Sequence, residues 1–282
     1  MSFNNFIPVA TATELQKDLT EAWVFAANTN RNYEGLVKKA GDSVRILNVG
    51  KPTLTTATDG KTPDVPALED VSGSAQTMPI LHTVSFNFGV PDIDKAQSEA
   101  NGELSAYMQE TKDELASVMD AYIASLAIDE NVEQLIQTSA VTKSNILDFL
   151  DAALLKLLDN KVSRGTKVTV TAPPWFNMIL KKAYVELDTN NSDILKNGVI
   201  GKYNSMNIQE SLNVYNNGTY DCIQVKTDRA IAFANPLMHM EPYRAITAGT
   251  NGKFEDAVAG YALYDAKVVR PKEIITLQVK AA

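Results

Sequence analysis

"GVPDIDKAQSEANGELSAYMQETKDELASVMDAYIASL", residues 89–126, decides the fold. Pro91 and Asp92 close a run of alternating apolar residues and open a long one-sided pattern. Asp92 suits an N-cap, and a proline just outside a helix is tolerated. From there apolar or small residues fall at Ile93, Ala96, Ala100, Leu104, Tyr107, Thr111, Leu115, Val118, Tyr122 and Leu126. The steps of 3, 4 and 4 repeat, so Ile93, Leu104, Leu115 and Leu126 are equivalent positions. At ~3.67 residues per turn such a stripe stays nearly straight. The helix it predicts is roughly 50 Å long at ~1.5 Å per residue. Gly102 inside it costs about 1 kcal/mol relative to alanine and marks a place for a bend. An isolated coiled coil is the alternative, but the stripe is short and strands flank it. A spine packed across a sheet fits better.

Upstream, a helix is predicted from Glu14 to Ala27, with Thr13 and Gln16 at capping-box spacing and Leu15, Leu19, Ala22 and Ala26 on one face. "SVRILNV" (43–49) and "TVSFNFGV" (83–90) alternate as strands, with Val44, Ile46 and, asymmetrically, Leu47 and Val49 apolar in the first and Val84, Phe86 and Phe88 in the second. Between them lies a stretch rich in Thr, Pro, Gly and Asp, too poor in apolar residues to fold by itself. Loops this long are uncommon inside compact domains and are often functional. Two strands flanking such an excursion read as an extended hairpin arm that needs another surface to hold it.

Downstream, Ser144–Val162 predicts a core helix with Ile146, Leu147, Leu150, Ala153, Leu154, Leu157 and Leu158 on its broad face. "GTKVTVTAPPWFNMILKKA" (165–183) reads as a strand, a Pro-Pro turn and a helix opened by Pro174. The rest is mostly β, with a turn at "NNGT" (216–219) and an interruption at Pro271.

The 282-residue chain is 45% apolar and 21% charged, as in an ordinary globular protein, and carries a net charge of −8. That balance gives no global attraction for nucleic acid. The charge is uneven: residues 92–133 hold eleven acids against two lysines, a local −9, which leaves the remainder near neutral. A solvated helix face is the simpler reading; a face that repels DNA or meets a basic partner is the sharper one. No run approaches ~18 apolar residues, and the N-terminus lacks a basic start and an apolar core, so neither a membrane span nor secretion is expected. Cys222 is the single cysteine and is expected to be a buried, inert thiol in a reducing compartment.

The chemistry-bearing motifs are weak. His82 and His239 are the two histidines, each among apolar residues and expected to be structural. Met238-His239-Met240 has no second cluster to complete a soft-metal site. "DGKT" (59–62) resembles the end of a phosphate-binding loop, but position 55 is Thr55 where glycine is required, and Pro63 and Pro66 block the helix that must follow. No nucleophile elbow is present. "NNS" and "NGT" match glycosylation acceptors in a chain not expected to be secreted. Neither catalytic, cofactor nor metal residues are assigned, and the expectation is a protein without enzymatic activity or cofactor.

Several segments, in order over nearly the whole chain, resemble the major capsid proteins of tailed bacteriophages. They are "FIP" followed by "VFA" and "NRNYEG" (6–35), "GDSVRILNVGKP" (41–52), "FNFGVPDIDKAQ" (86–97) and "DAYIASL" (120–126). "VTAPPWFNMIL" (170–180), "GVIGKYNSMNIQESLNV" (198–214), "AIAFANPLMHMEPYR" (230–244) and "YALYDAKVVRPKEIITLQV" (261–279) continue the likeness. The family's usual glycine-phenylalanine pair is replaced by Met206-Asn207, and no tryptophan follows "FIP".

The resemblance implies an α+β fold: an N-terminal arm (1–40), an extended β-hairpin loop (41–90), a peripheral domain with the spine helix (91–171 and 256–282) and an axial domain (172–255). It implies hexamers and pentamers in an icosahedral shell around double-stranded phage DNA, assembled in the bacterial cytoplasm and residing in the virion. Scaffolding, portal and decoration proteins are the expected partners, beside the chain's own copies and without a membrane. Leu54, Val65, Leu68 and Met78 are expected to seat the loop on a neighbour. In some relatives a loop lysine is cross-linked to a neighbour's asparagine; Lys61 is the candidate here, a plain surface lysine being the simpler reading. The spine's inner side would present Glu103, Glu110, Asp113 and Glu114. An encapsulin-type compartment around a cargo enzyme is the runner-up, and a cytoplasmic hydrolase is a more distant alternative.

Overall fold

The computed structural model describes residues 23–33, 43–47, 75–91, 103–186, 201–244 and 255–281. Within them the strands form three sheets. β1 (Ser43–Leu47) pairs antiparallel with β2 (Ala75–Pro79), Leu47 opposite Ala75. β3 (His82–Pro91), β9 (Ile231–Arg244) and β10 (Glu255–Val268) form the second sheet, with β10 in the middle. The third runs β4-β11-β8-β5-β7-β6, built from β4 (Glu133–Ile136), β5 (Val168–Ala172), β6 (Lys202–Tyr203), β7 (Met206–Glu210), β8 (Asp221–Thr227) and β11 (Ile274–Val279).

Three α-helices among the described residues complete these layers. α1 (Glu103–Ser125) continues through a 3-10 turn, Leu126–Ile128, and packs on the three-stranded sheet. At ~1.5 Å per residue its 23 residues span about 35 Å. α2 (Ile146–Asp159) and α3 (Pro174–Glu186) share a core with one face of the six-stranded sheet: Ile146, Leu150, Ala153, Leu157, Phe176 and Leu180 meet Val168, Val170, Ile223, Val225, Ile275 and Leu277. The apolar face expected for 144–162 is therefore the buried one, and Pro174 opens α3 as expected.

The opposite face of that sheet is polar yet buried. Thr169, Gln224, Lys226 and Thr276 all lie inside. Lys226 and Thr169 bond to Asn28 of the 23–30 segment, and Gln224 and Thr276 meet the end of α1. Gln224 Nε2 donates to the carbonyls of Ile123 (2.9 Å) and Ala124 (3.2 Å). Thr276 Oγ1 (2.6 Å) and Gln134 Nε2 (2.7 Å) donate to the carbonyl of Ala127. A helix leaves its last carbonyls without intrahelical partners, so side-chain donors there replace water.

Three expectations are corrected. The helix predicted to Ala27 does not run through Trp23–Phe25, which form a bend before a 3-10 turn, Ala26–Asn28. Trp23 and Phe25 alternate into the core, and the amides of Val24 and Ala26 are drawn to Asp120 instead of to helical carbonyls. The helical stripe is also rotated. Leu115 is buried and Val118, Tyr122 and Leu126 are half-buried, but the centre of the buried face runs through Ala116, Met119, Asp120, Ile123, Ala124 and Ala127. Tyr107 is 54% exposed. Finally, the expected division at 171/172 falls inside one core, where β4, α2 and β5 pack with α3, β7 and β8, and β11 joins the same sheet.

Candidate functional site

The root of the hairpin is anchored in the subunit. Val44, Ile46, Met78 and Ile80 pack on Ala232, Ala234, Leu263 and Val269. Their neighbours Ser43, Arg45, Thr77 and Pro79 face outward, the period of two that a half-buried strand requires. Lys267 Nζ donates to the carbonyl of Thr77 at 2.8 Å, tying β2 to β10. Residues 48–74, which connect these paired strands, lie outside the described residues.

Between β2 and β3 the chain turns over Asp265. In β10 this carboxylate is buried, 6% exposed. Its Oδ2 accepts from the Leu81 amide (3.1 Å) and lies 3.2 Å from His82 Nδ1; its Oδ1 accepts from the Tyr122 hydroxyl (3.0 Å) and the Ala266 amide (2.8 Å). Burial, followed by the charge of Asp265, pushes the Tyr122 hydroxyl well above its ordinary pKa, so it remains a donor. The half-exposed His82 ring packs against Tyr122 at a 43° tilt, with centroids 4.3 Å apart. One carboxylate therefore joins the loop root, the sheet and α1.

A second polar joint holds residues 23–30. Asp120, 2% exposed, accepts from the amides of Val24 (2.7 Å) and Ala26 (3.0 Å). Burial raises its pKa, while those amides and the Lys226 charge oppose the rise. Lys226, fully buried, donates to the Asn28 carbonyl at 3.0 Å. Burial lowers its pKa to about 7, against the attraction of Asp120 and Asp228.

On the outer side of α1, Glu110, Asp113 and Glu114 are exposed, and Lys112 Nζ lies 3.8 Å from Asp113. Glu110 and Glu114 border a groove of about 360 Å³ whose floor includes Val84, Phe86, Leu115 and Val118. Among the described residues no group of three His, Cys, Asp or Glu side chains is placed to hold a metal ion, and no helix is long and apolar enough to cross a membrane. The geometry is that of a frame: a rooted hairpin, a long helix and a clamped N-terminal segment fixed to one another.

Comparison of the sequence with protein-family models and with curated proteins returns no match. The structure is similar to one from Mycobacterium phage Che8, with 25% identity and a TM-score of 0.67 over 90% of both chains. It is also similar to the capsid of cyanophage P-SCSP1u (15% identity, TM-score 0.66, 90% of this chain and 86% of that one). The mature capsid of bacteriophage PhiM1 matches at 13% identity and a TM-score of 0.64, over 92% and 88%. The chain has the fold of tailed-phage major capsid proteins.

In this capsid fold β1 and β2 root the extended loop and α1 is the spine helix. Leu54, Lys61, Val65, Leu68 and Ile93 lie outside the described residues. Glu103 and Leu104 lie in the first turn of the spine helix, with side chains outside the described set. Met78, expected to meet a neighbouring subunit, is 1% exposed in its own subunit's core, because its register places it on the inner side of the root. Asp120, counted among the segment's acids, is buried beneath the N-terminal segment and adds nothing to the exposed face. Cys222 is buried, and burial followed by Asp221 raises its thiol pKa, in keeping with an inert thiol.

Sequence reasoning missed the joints formed by Asp265, Asp120, Lys226 and Gln224. The only signal was indirect. "CIQVKT" alternates Cys222, Gln224 and Lys226 against Ile223, Val225 and Thr227, which marks two different faces but reads as a wet one and a dry one.

Proposed function

We propose that the chain is a tailed-phage major capsid protein that assembles into hexamers and pentamers of an icosahedral shell enclosing double-stranded DNA. One observation carries the reading beyond fold likeness. The root of the hairpin is locked into its own subunit, whereas the connection it carries, residues 48–74, is too poor in apolar residues to bury itself. Leu54, Val65 and Leu68 in that connection are then contacts to an adjacent copy, and main-chain pairing with that copy is a further means of holding it. Individual contacts can be modest, because closing a lattice makes later contacts nearly intramolecular.

The role is structural, in the virion, with assembly in the host cytoplasm. A scaffolding protein and a portal are the proposed partners, and a decoration protein is a further one. Residues 1–40 act as the arm and 41–90 as the loop, while the six-stranded sheet with α2 and α3 supplies the axial part. Deleting Thr55–Glu69 tests the assignment. The subunit should stay soluble and folded, because the root's core is untouched, and should form no shells in negative-stain micrographs. Normal particles from the deletion variant contradict the role given to the loop.

A further inference from the structure

Residues 23–30 cross the seam between the two large cores. Trp23, Phe25 and Ala26 are buried with α1, β9 and β10. Beyond the turn, Asn30 takes the Ile231 carbonyl through its amide (2.9 Å) and accepts from the Phe233 amide (3.0 Å). The turn 26–28 lies between two buried ionisable side chains on different elements: Asp120 of α1 at its amide end and Lys226 of β8 at its carbonyl end.

The lysine end is incompletely satisfied. An ammonium carries three donors, and among the described residues the Asn28 carbonyl is the one acceptor placed on Lys226 Nζ. A neutral amine leaves less unmet in a fully buried place. Asp120 from α1 and Asp228 from the β8–β9 turn favour the charged form. Lys167, just ahead of β5, brings a like charge to the same asparagine, 3.2 Å from Asn28 Oδ1. Arg31, on the segment's continuation, is held over the Trp23 ring at 4.6 Å.

We propose that residues 23–30 form a releasable strap, and that its detachment from the seam between α1 and β8 is coupled to proton uptake by Lys226. The closed strap holds Lys226 with a pKa near 7, whereas an opened strap returns it toward its ordinary 10.5. Between those values the open form binds a proton that the closed form does not. Opening is therefore favoured as pH falls toward 7, and the strap tightens as pH rises. Below about pH 7 Lys226 is protonated in both forms and its contribution ends.

Hydrogen–deuterium exchange of the full chain, corrected for intrinsic rates and read by mass spectrometry at pH 7 and pH 9, tests this. Peptides covering 23–30 should gain at least about tenfold protection at the higher pH, against a one-proton limit of about a hundredfold. Peptides from β11 should remain more protected than the strap at both pH values. In Lys226→Met, strap protection should be the same at both. Equal strap protection at pH 7 and 9 in the native sequence overturns the proposal. So does a slope that persists in Lys226→Met, or exchange of strap and β11 together. If Lys226→Met does not fold, the native profile decides alone.

Discussion

Asp265 collects Leu81, His82 and Tyr122 from a strand that keeps its alternation: Ala262, Tyr264, Ala266 and Val268 stay in one core, and the extra residue of the nearby register shift lies in β9. Replacing it with alanine leaves buried donors without partners, so Asp265→Ala should cost about 2–4 kcal/mol in denaturant unfolding. Gly260 is a second sensitive position on the same strand. A Cβ there would lie 2.5 Å from Phe86 Cζ and 2.8 Å from the His239 carbonyl. The carbonyl belongs to a paired strand and cannot move freely, so Gly260→Ala should destabilise by about 1–3 kcal/mol in the same measurement. Neither residue announces itself in the sequence: "GYALYDAKVV" reads as a plain alternating strand.

At the scale of elements, the end of the spine helix is the informative case. Its last carbonyls rest on side-chain donors from three strands. Gln224→Leu should therefore cost about 1–3 kcal/mol, and amide exchange near residues 123–128 should rise before that of α2. The helix itself, β1, β3 and α2 were legible because each shows its own period against water, and β5 and α3 because the Pro-Pro turn separates a short β-branched run from a helix opened by Pro174. The strap and the second face of the six-stranded sheet were not. Their side chains answer to distant backbone groups, and a polar alternation looks the same whether water or a helix end covers it. The rotated stripe has a similar cause, since Ala116, Ala124 and Asp120 are buried by close approach and hydrogen bonding instead of by bulk. The exposed carboxylates of this helix carry a prediction of their own. Reversing Glu103, Glu110, Asp113 and Glu114 to lysine should increase the DNA retained by opened shells, as counter-charge at the wall requires. Unchanged retention counts against an inward acidic face.

For the whole molecule, the resemblance carried in order by short segments agreed with the fold, because the rooted hairpin, the spine and the layered sheets follow one another along the chain in the same sequence as those segments. What a single chain leaves open is the neighbour. Met78 shows why: an apolar residue next to an arm can serve the root as easily as a partner, and only register decides. The loop contacts that matter must come from residues whose burial needs another copy. Electron microscopy of the purified full chain at high concentration tests this most directly. Closed icosahedral shells that sediment in the megadalton range are the expected result. A uniform monomer or small oligomer, with the loop folded onto its own subunit, would contradict it.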